Sequence, residues 1–422
     1  MPDAVVLSHE LDLARLAQLT PEAVPNAVVA GDPCLDRLRE SSALREEYRR
    51  ALGAGDATTV VTVTSTWGPG SLLGRHPDLI DAFLSELELD RHIISAILHP
   101  NVWFAHGPWQ VETWLADSLR SGLRLIPPLK GWQQTILASD VVVGDHGAVT
   151  GYAGAMLIPT ILAAFPRAEV ATGTAVDRLG RLAPTLDPRS PLPEQISAAI
   201  RGHDRTRMRQ VADLASSRPD VCADILRSTF HSLMELPEPD RPAVVFPYAP
   251  ADLTPRRESV RACRLAVDWA VGEGDTAVVR RWPAEVTASR QRGPRAVDSY
   301  LAAHDDHPRR DLRGNADILL VTETDSSSLD DVLAHTIEQR PACSVAIAAV
   351  DDTRYRLRHR RLGSIEAFCT GSFTGPMMSA VIAATAHDYW LIRRSTPPAA
   401  IQLVVGSSRI QLELKSIDPH IG

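Results

Sequence analysis

An alternation constrains this chain more than any single motif. Short runs of β-branched and aliphatic residues, Asn26 to Ala30, Thr58 to Thr64, His92 to Leu98, Leu123 to Ile126, Asp140 to Gly144 and Pro159 to Ala164, are separated by stretches of helical periodicity. Runs apolar on both faces need cover on both faces, and intervening helices supply it, so the pattern predicts an α/β fold built on a mostly parallel sheet. In Trp109 to Arg120, Val111, Trp114, Leu115, Ser118 and Leu119 fall at helical spacing and Ser121-Gly122 supplies a stop, which predicts one crossover helix.

Beyond Leu182 the text turns Pro-rich, and helical stretches follow at Glu194 to Ile200, Arg205 to Ser216 and Val221 to Met234. Glu235 to Pro242 reads as a linker. A second alternating pattern, with strands expected at Ala243 to Phe246, Ala277 to Arg280, Asp317 to Val321 and Ser344 to Val350, reads as a second, mixed α/β domain. Ile401 to Val405 and Ile410 to Leu414 flank Gly406 to Arg409 like a β-hairpin. The expected division is a lead-in over 1–25, a first domain over 26–200, a helical segment over 201–236 and a second domain over 243–422.

With 422 residues, 44% of them apolar and 23% charged, the chain has room for roughly two to three domains and a large core. Its formal net charge of -8 excludes a general affinity for nucleic acid or anionic membrane, which needs surplus Lys and Arg. Cys34, Cys222, Cys263, Cys343 and Cys369 are odd in number, far apart and in no CxxC pair, so free, buried thiols are expected rather than disulfides or zinc. The start MPDAVVLSHELDLARL has neither a basic nor an apolar leader region, and no uncharged run reaches the roughly 18 residues of a spanning helix. A cytoplasmic protein is expected, and peripheral contact with the inner face of the plasma membrane is compatible with that.

Polar residues just past the carboxyl ends of parallel strands face the crevice where ligands bind. Three such places stand out. Thr64-Ser65-Thr66-Trp67-Gly68-Pro69 offers hydroxyls, an aromatic plate and a glycine turn, and His99-Pro100-Asn101 ends the next strand with an imidazole. Gly144-Asp145-His146-Gly147-Ala148-Val149-Thr150 ends an apolar strand and opens a small-residue helix, whose free N–H groups and positive end suit a phosphate. Convergence of all three on one cleft favours a binding site over a set of unrelated caps.

The order GDPCLDRL (Gly31 to Leu38), a strand ending Ser65-Thr66-Trp67, Leu98-His99-Pro100-Asn101 and SDVVVGDHGAV (Ser139 to Val149) resembles the C-terminal domain of the CDP-glycerol glycerophosphotransferases. In that family the text runs roughly GNPR-x-D, APTWR, HP and a strand ending TDYSS. The resemblance covers about Ala27 to Pro166 and is similar, more distantly, to the UDP-N-acetylglucosamine 2-epimerases. It implies a GT-B architecture, with two Rossmann-like domains around a cleft and the nucleotide held by the C-terminal one. By that resemblance His99 and the turn Asp145 to Ala148, with Thr150, meet the diphosphate. Ser65 and Thr66 line the cleft, and Ile126 to Pro128 with Trp132 flank the base.

The implied activity is transfer from a nucleotide-sugar or CDP-polyol donor in cell-envelope polymer synthesis, with His99 and His146 as catalytic residues, the donor being substrate and no further cofactor required. Asp145-His146-Gly147-Ala148 stands where the family has Asp-Tyr-Ser-Ser, so His146 takes over from two hydroxyls and the donor need not be CDP-glycerol. Only about 25 residues precede the nucleotide half, so the acceptor side is expected from a longer product, from the region after Pro242, or from an oligomer or partner chain. An epimerase-like enzyme and a non-catalytic nucleotide-binding scaffold are the alternatives.

Other polar clusters are assigned bland roles. His99, His106 and His146 match no metal-ligand spacing. His9 and Glu10, at the end of the first strand, are candidates for acid-base chemistry from the opposite lip of the cleft, with a helix-start cap the simpler reading for Glu10. His304-Asp305-Asp306-His307 reads as a solvated loop, Arg354 to Arg361 as a solvated basic face and Gly371 to Met378 as a helix entry.

Overall fold

The computed structural model describes residues 2–270, 275–287, 299–322, 329–371, 377–393 and 400–417. They form two compact units. The first comprises 1–79, 93–111 and 124–256, and the second comprises 80–92, 112–123 and 257–422. The chain thus crosses between units within the first half, where the sequence pattern suggests one uninterrupted domain. Near one crossing the expected helix over Trp109 to Arg120 is instead two, Pro108–Trp114 and Ala116–Arg120, broken at Leu115.

The first unit holds two sheets. β1 (Val5–Leu7) and β2 (Ala27–Val29) pair in parallel by themselves. The main sheet contains β3 (Thr59–Ser65), β4 (His92–Leu98), β5 (Arg124–Ile126), β6 (Val141–Gly144) and β7 (Thr160–Leu162), ordered β5-β4-β3-β6-β7. β3 with β6, β4 with β5 and β6 with β7 pair in parallel, and β3 and β6 are buried almost throughout, which is why their sequences are continuous apolar runs. The chain steps outward from β3 to β5, then returns to the other side of β3 with β6 and β7. That reversal is a topological switch point.

Helices α1 (Trp132–Ala138) and α2 (Ala148–Ala155) flank β6, and α3 (Ala175–Leu182), α4 (Leu192–Arg201) and α5 (Arg205–Ala215) follow β7. Gly154 on α2 admits Leu179 and Val211 closely, and these two with Met208 form a small core against α2. The expected strand over Ala243 to Phe246 is irregular, with Val244 and Phe246 exposed. Pro242 and Pro247 bracket it without N–H groups for a ladder.

In the second unit, expected as a mixed α/β domain, the strands close into a mixed barrel. Its strands are β8 (Ala262–Trp269), β9 (Thr276–Pro283), β10 (Tyr300–His304), β11 (Ile318–Leu320), β12 (Val345–Ala349), β13 (Arg354–His359), β14 (Gly363–Thr370), β15 (Ala400–Val405) and β16 (Ser408–Ser416). They run in the order β10-β11-β12-β13-β14-β16-β15-β9-β8, with β8 and β10 pairing to close the ring. The expected hairpin is present as β15 and β16, turning at Gly406 with φ +60.

Alternate residues of all nine strands share one core with α6 (Met378–Arg393), whose Ala380, Val381, Ile382, Ala383, Ala384 and Ala386 are all fully buried. A helix apolar on every side must be enclosed, and this barrel encloses it. The opposite faces of β8, β10, β11 and β12 pack on the helix Leu329–Gln339. Residues 372–376 of the expected helix entry lie outside the described residues. The basic run Arg354 to Arg361 keeps Arg354, Arg360 and Arg361 exposed, while β13 sends the alternate residues Tyr355, Leu357 and His359 inward.

Among the described residues, no helix is long and apolar enough to cross a membrane. All five cysteines are free; four are buried and Cys34 is half-buried.

Candidate functional site at the strand ends of the first unit

Hydrogen bonds bring the three polar strand ends together at the switch point. His99, after β4, donates its backbone N–H to Ser65 O at 3.0 Å, and Thr66, after β3, donates its N–H to Asp145 Oδ2 at 2.8 Å. The carboxylate of Asp145, fully buried, also accepts Leu72 N–H at 2.8 Å and Gly147 N–H at 2.9 Å. Three backbone donors satisfy a charge that would otherwise be costly to bury. Asp145 therefore acts as the clamp joining the two loops, with its acceptor capacity turned away from any ligand.

Gly144 makes that junction possible. A Cβ there would stand 2.2 Å from Thr150 Oγ1 and 2.8 Å from Thr64 Cγ2. The Thr150 hydroxyl, buried, accepts the Asp145 N–H at 3.3 Å, and the Ser65 hydroxyl, also buried, accepts Leu73 N–H at 3.1 Å. Ile126 is fully buried at the end of β5. Of the residues picked out from sequence, Ser65, Asp145, Thr150 and Ile126 thus build the crevice from behind.

The groups that face outward are fewer. Gly147 caps α2 without a side chain, and Ala148, at the first helical position, is exposed, so the start of α2 carries no side chain of its own to cap it. Thr66 is half-buried, its Cβ 3.1 Å from where a Gly147 Cβ would stand. His99 caps the helix Pro100–His106 with Nδ1, which accepts Asn101 N–H at 3.1 Å. That bond fixes the neutral tautomer with its proton on Nε2. His146 directs Nε2 toward Glu169 Oε2 at 3.5 Å, while its Nδ1 is buried with no partner among the described residues.

Trp132, half-buried on α1, lies 5.6 Å from the ring of Tyr152 on α2. Tyr152 donates to Asp32 Oδ2 at 2.9 Å, and burial, then Cys34 and Asp32, raise its phenol above the ordinary range. Glu169 and the Asp32–Tyr152 pair were not legible as site neighbours, since they come from separate elements joined only by the fold.

His9 accepts Leu11 N–H as the cap of the helix Glu10–Leu19, and Glu10 pairs with Arg218 at 3.0 Å. In the second unit, His307 is not part of a solvated loop. It is fully buried and donates Nε2–H to Glu285 Oε1 at 2.8 Å, its Nδ1 accepting Arg309 N–H. Burial raises the Glu285 carboxyl, whose Oε2 has no partner among the described residues. Inside the barrel His359 donates Nε2–H to His387 Nδ1 at 3.0 Å, and Asp388 accepts from Trp269 at 2.7 Å and from Tyr300.

No described protein family matches the sequence, and no curated protein does. Among solved structures, a variant of the wall teichoic acid polymerase TagF is similar at 15% identity with a TM-score of 0.41, over 55% of this chain and 59% of that one. The UDP-GlcNAc 2-epimerase from Neisseria meningitidis bound to UDP-GlcNAc is similar at 14% identity and a TM-score of 0.34, over 55% and 61%. Anabaena HepE in complex with UDP and glucose is similar at 19% identity and a TM-score of 0.32, over 56% and 64%. The matched parts span about three fifths of those chains. Likeness of this degree carries no activity, substrate or site from them to this chain.

Proposed function

We propose that the first unit binds the diphosphate of a nucleotide-activated sugar or polyol phosphate at its strand ends, and that the protein is a transferase of the GT-B type. The observation that carries this reading is the convergence of Thr66, His99, His146 and the uncapped start of α2 at the switch point of a parallel sheet. A helix start with free N–H groups favours an anion, and the Asp145 clamp holds the turn in place beforehand.

The chemistry asked of these residues is electrostatic. As the bond to the donor group breaks, charge gathers on the departing nucleoside diphosphate. Donors already aimed at it stabilise it without reorganisation. His99 Nε2–H, the His146 imidazole and the N–H groups of Ala148 and Val149 are the donors in this reading, and Thr66 closes the same edge. Trp132, with the backbone from Ile126 to Pro128, flanks the base. The acceptor is left unassigned.

The test is calorimetry of the whole chain with CDP, UDP, GDP and ADP, repeated on His146→Ala and His99→Ala. One nucleotide should bind, and each substitution should weaken it about tenfold or more, the loss of a hydrogen bond to a charged group. Absence of binding by all four, or equal binding by the variants, overturns the reading.

A further inference from the structure

The loop that leaves β3 carries one large side chain that the proposed diphosphate site does not use. Trp67 is 58% exposed. A lone exposed aromatic ring on a loose loop needs no explanation. This loop, however, is fixed on both sides of the ring. Before Trp67, Thr66 N–H donates to Asp145 Oδ2 at 2.8 Å. After it, Ser71 donates its N–H and its hydroxyl to Gly68 O at 3.1 and 2.7 Å. Leu72 N–H donates to Asp145 Oδ2 at 2.8 Å, and Leu73 N–H to the Ser65 hydroxyl at 3.1 Å.

The same loop spans two residues that stand next to His146. Thr66 meets Gly147, its Cβ 3.1 Å from where a Gly147 Cβ would stand. A Cβ on Gly70 would stand 2.9 Å from Oε1 of Glu169, whose Oε2 lies 3.5 Å from His146 Nε2. Trp67 falls in the stretch between those two contacts, so the ring is anchored beside the proposed diphosphate site while most of it stays in water.

The chemistry of the ring limits what can cover it. An indole leaves water favourably against a flat apolar surface. Beside a bound nucleoside diphosphate such a surface has two sources, the base and the group esterified to the far phosphate. Trp132, on α1, serves the base in the reading above. A hexopyranose has a face of C–H groups that lies flat on an indole and a rim of hydroxyls that need acceptors. The exposed carboxylate of Glu169, packed against Gly70 of the same loop, is such an acceptor. A glycerol chain has the hydroxyls and no face for the ring.

We propose that Trp67 is the platform for the sugar of a nucleotide-hexose donor, so that the strand-end site selects a hexopyranose over a polyol. This inference rests on the diphosphate site proposed above and names the class of donor it takes.

The experiment is calorimetry of the full chain with pairs that share a base: CDP and CDP-glucose, UDP and UDP-glucose, GDP and GDP-mannose, ADP and ADP-glucose. CDP-glycerol serves as the polyol, and the proteins are the natural chain, Trp67→Ala and Trp67→Phe. Trp67→Ala should weaken the hexose ester of the preferred base about tenfold and change the free diphosphate less than about twofold. Trp67→Phe should recover most of that loss, and CDP-glycerol should be indifferent to both substitutions. Retained diphosphate binding shows at the same time that the variant is folded. If the diphosphate binds and Trp67→Ala leaves the hexose ester unaffected, the sugar platform is overturned while the diphosphate site stands. An equal loss for diphosphate and hexose ester puts the base on Trp67 and overturns the platform as well. Absence of binding by every nucleotide overturns the diphosphate site, and the platform with it.

Discussion

The strand ends of the first unit and the interior of the barrel use the same residue types to opposite ends. Both contain histidines, an aspartate and aromatic rings. At the strand ends one buried carboxylate, Asp145, takes up backbone donors, and His99 and His146 are left at the surface of the crevice. In the barrel the side chains satisfy one another. His359 donates to His387, Asp388 accepts from Trp269 and Tyr300, and Tyr300 and Trp390 pack on the histidine rings. Residue type alone therefore does not mark a site. What matters is whether the polar atoms are spent inside the protein or left directed out of it.

The comparison predicts that the first region fails when its clamp is removed. Asp145→Ala strands three backbone N–H groups, that of Leu72 buried and those of Thr66 and Gly147 half-buried, and should lower the stability of the chain by about 4 kcal/mol, read from denaturant unfolding. A loss under about 1 kcal/mol would mean the loops are held by something else. Gly144→Ala should cost about 2 to 3 kcal/mol, because the added methyl meets Thr150 and Thr64 and neither can withdraw from the sheet without moving the turn. If it folds with undiminished stability, the junction is looser than the distances say.

How much of this was legible follows from where the information lies. The strands β3, β4 and β6 could be read from the sequence because a two-sided apolar run has few other uses, and the three polar strand ends followed from them. The inward turn of Ser65 and Thr150 could not, since a hydroxyl beside a strand end looks the same whether it meets a ligand or caps Leu73. Barrel closure was hidden as well. β10, β11 and β12 pair in parallel like an ordinary α/β sheet, and only the pairing of β8 with β10 and the burial of α6 reveal a ring. His307 looked solvated among charged neighbours because its partner, Glu285, lies 22 residues away.

The barrel should be the acid-sensitive region. Burial, with His387 close by, lowers the pKa of His359 to about 3, and burial lowers His387 too. Between the ordinary value near 6.5 and the folded value, the unfolded chain binds a proton that the folded barrel does not, so stability falls as pH falls. From pH 7 to pH 5 His359 alone removes about 2 kcal/mol. His359→Asn should flatten that slope in unfolding curves collected across this range. An unchanged slope would show that the pair is not the acid-labile element.

The smallest expected effect also sharpens the contrast most, because it concerns a carboxylate less well served than Asp145. Both are fully buried, yet Asp145 has three backbone donors, while Glu285 has His307 on Oε1 and no partner for Oε2 among the described residues. Burial raises its pKa, so ionisation at neutral pH works against the fold. Glu285→Gln keeps an oxygen to accept from His307 and removes the charge. It should raise stability by about 1 kcal/mol at pH 7, with the advantage shrinking as the pH falls and the natural carboxyl takes up its proton. The corresponding Asp145→Asn should do the reverse and destabilise, because an amide offers one acceptor oxygen where Thr66, Leu72 and Gly147 need two. If both amides shift stability in the same direction, the two carboxylates are equivalent and the distinction between a clamped and an unclamped charge fails.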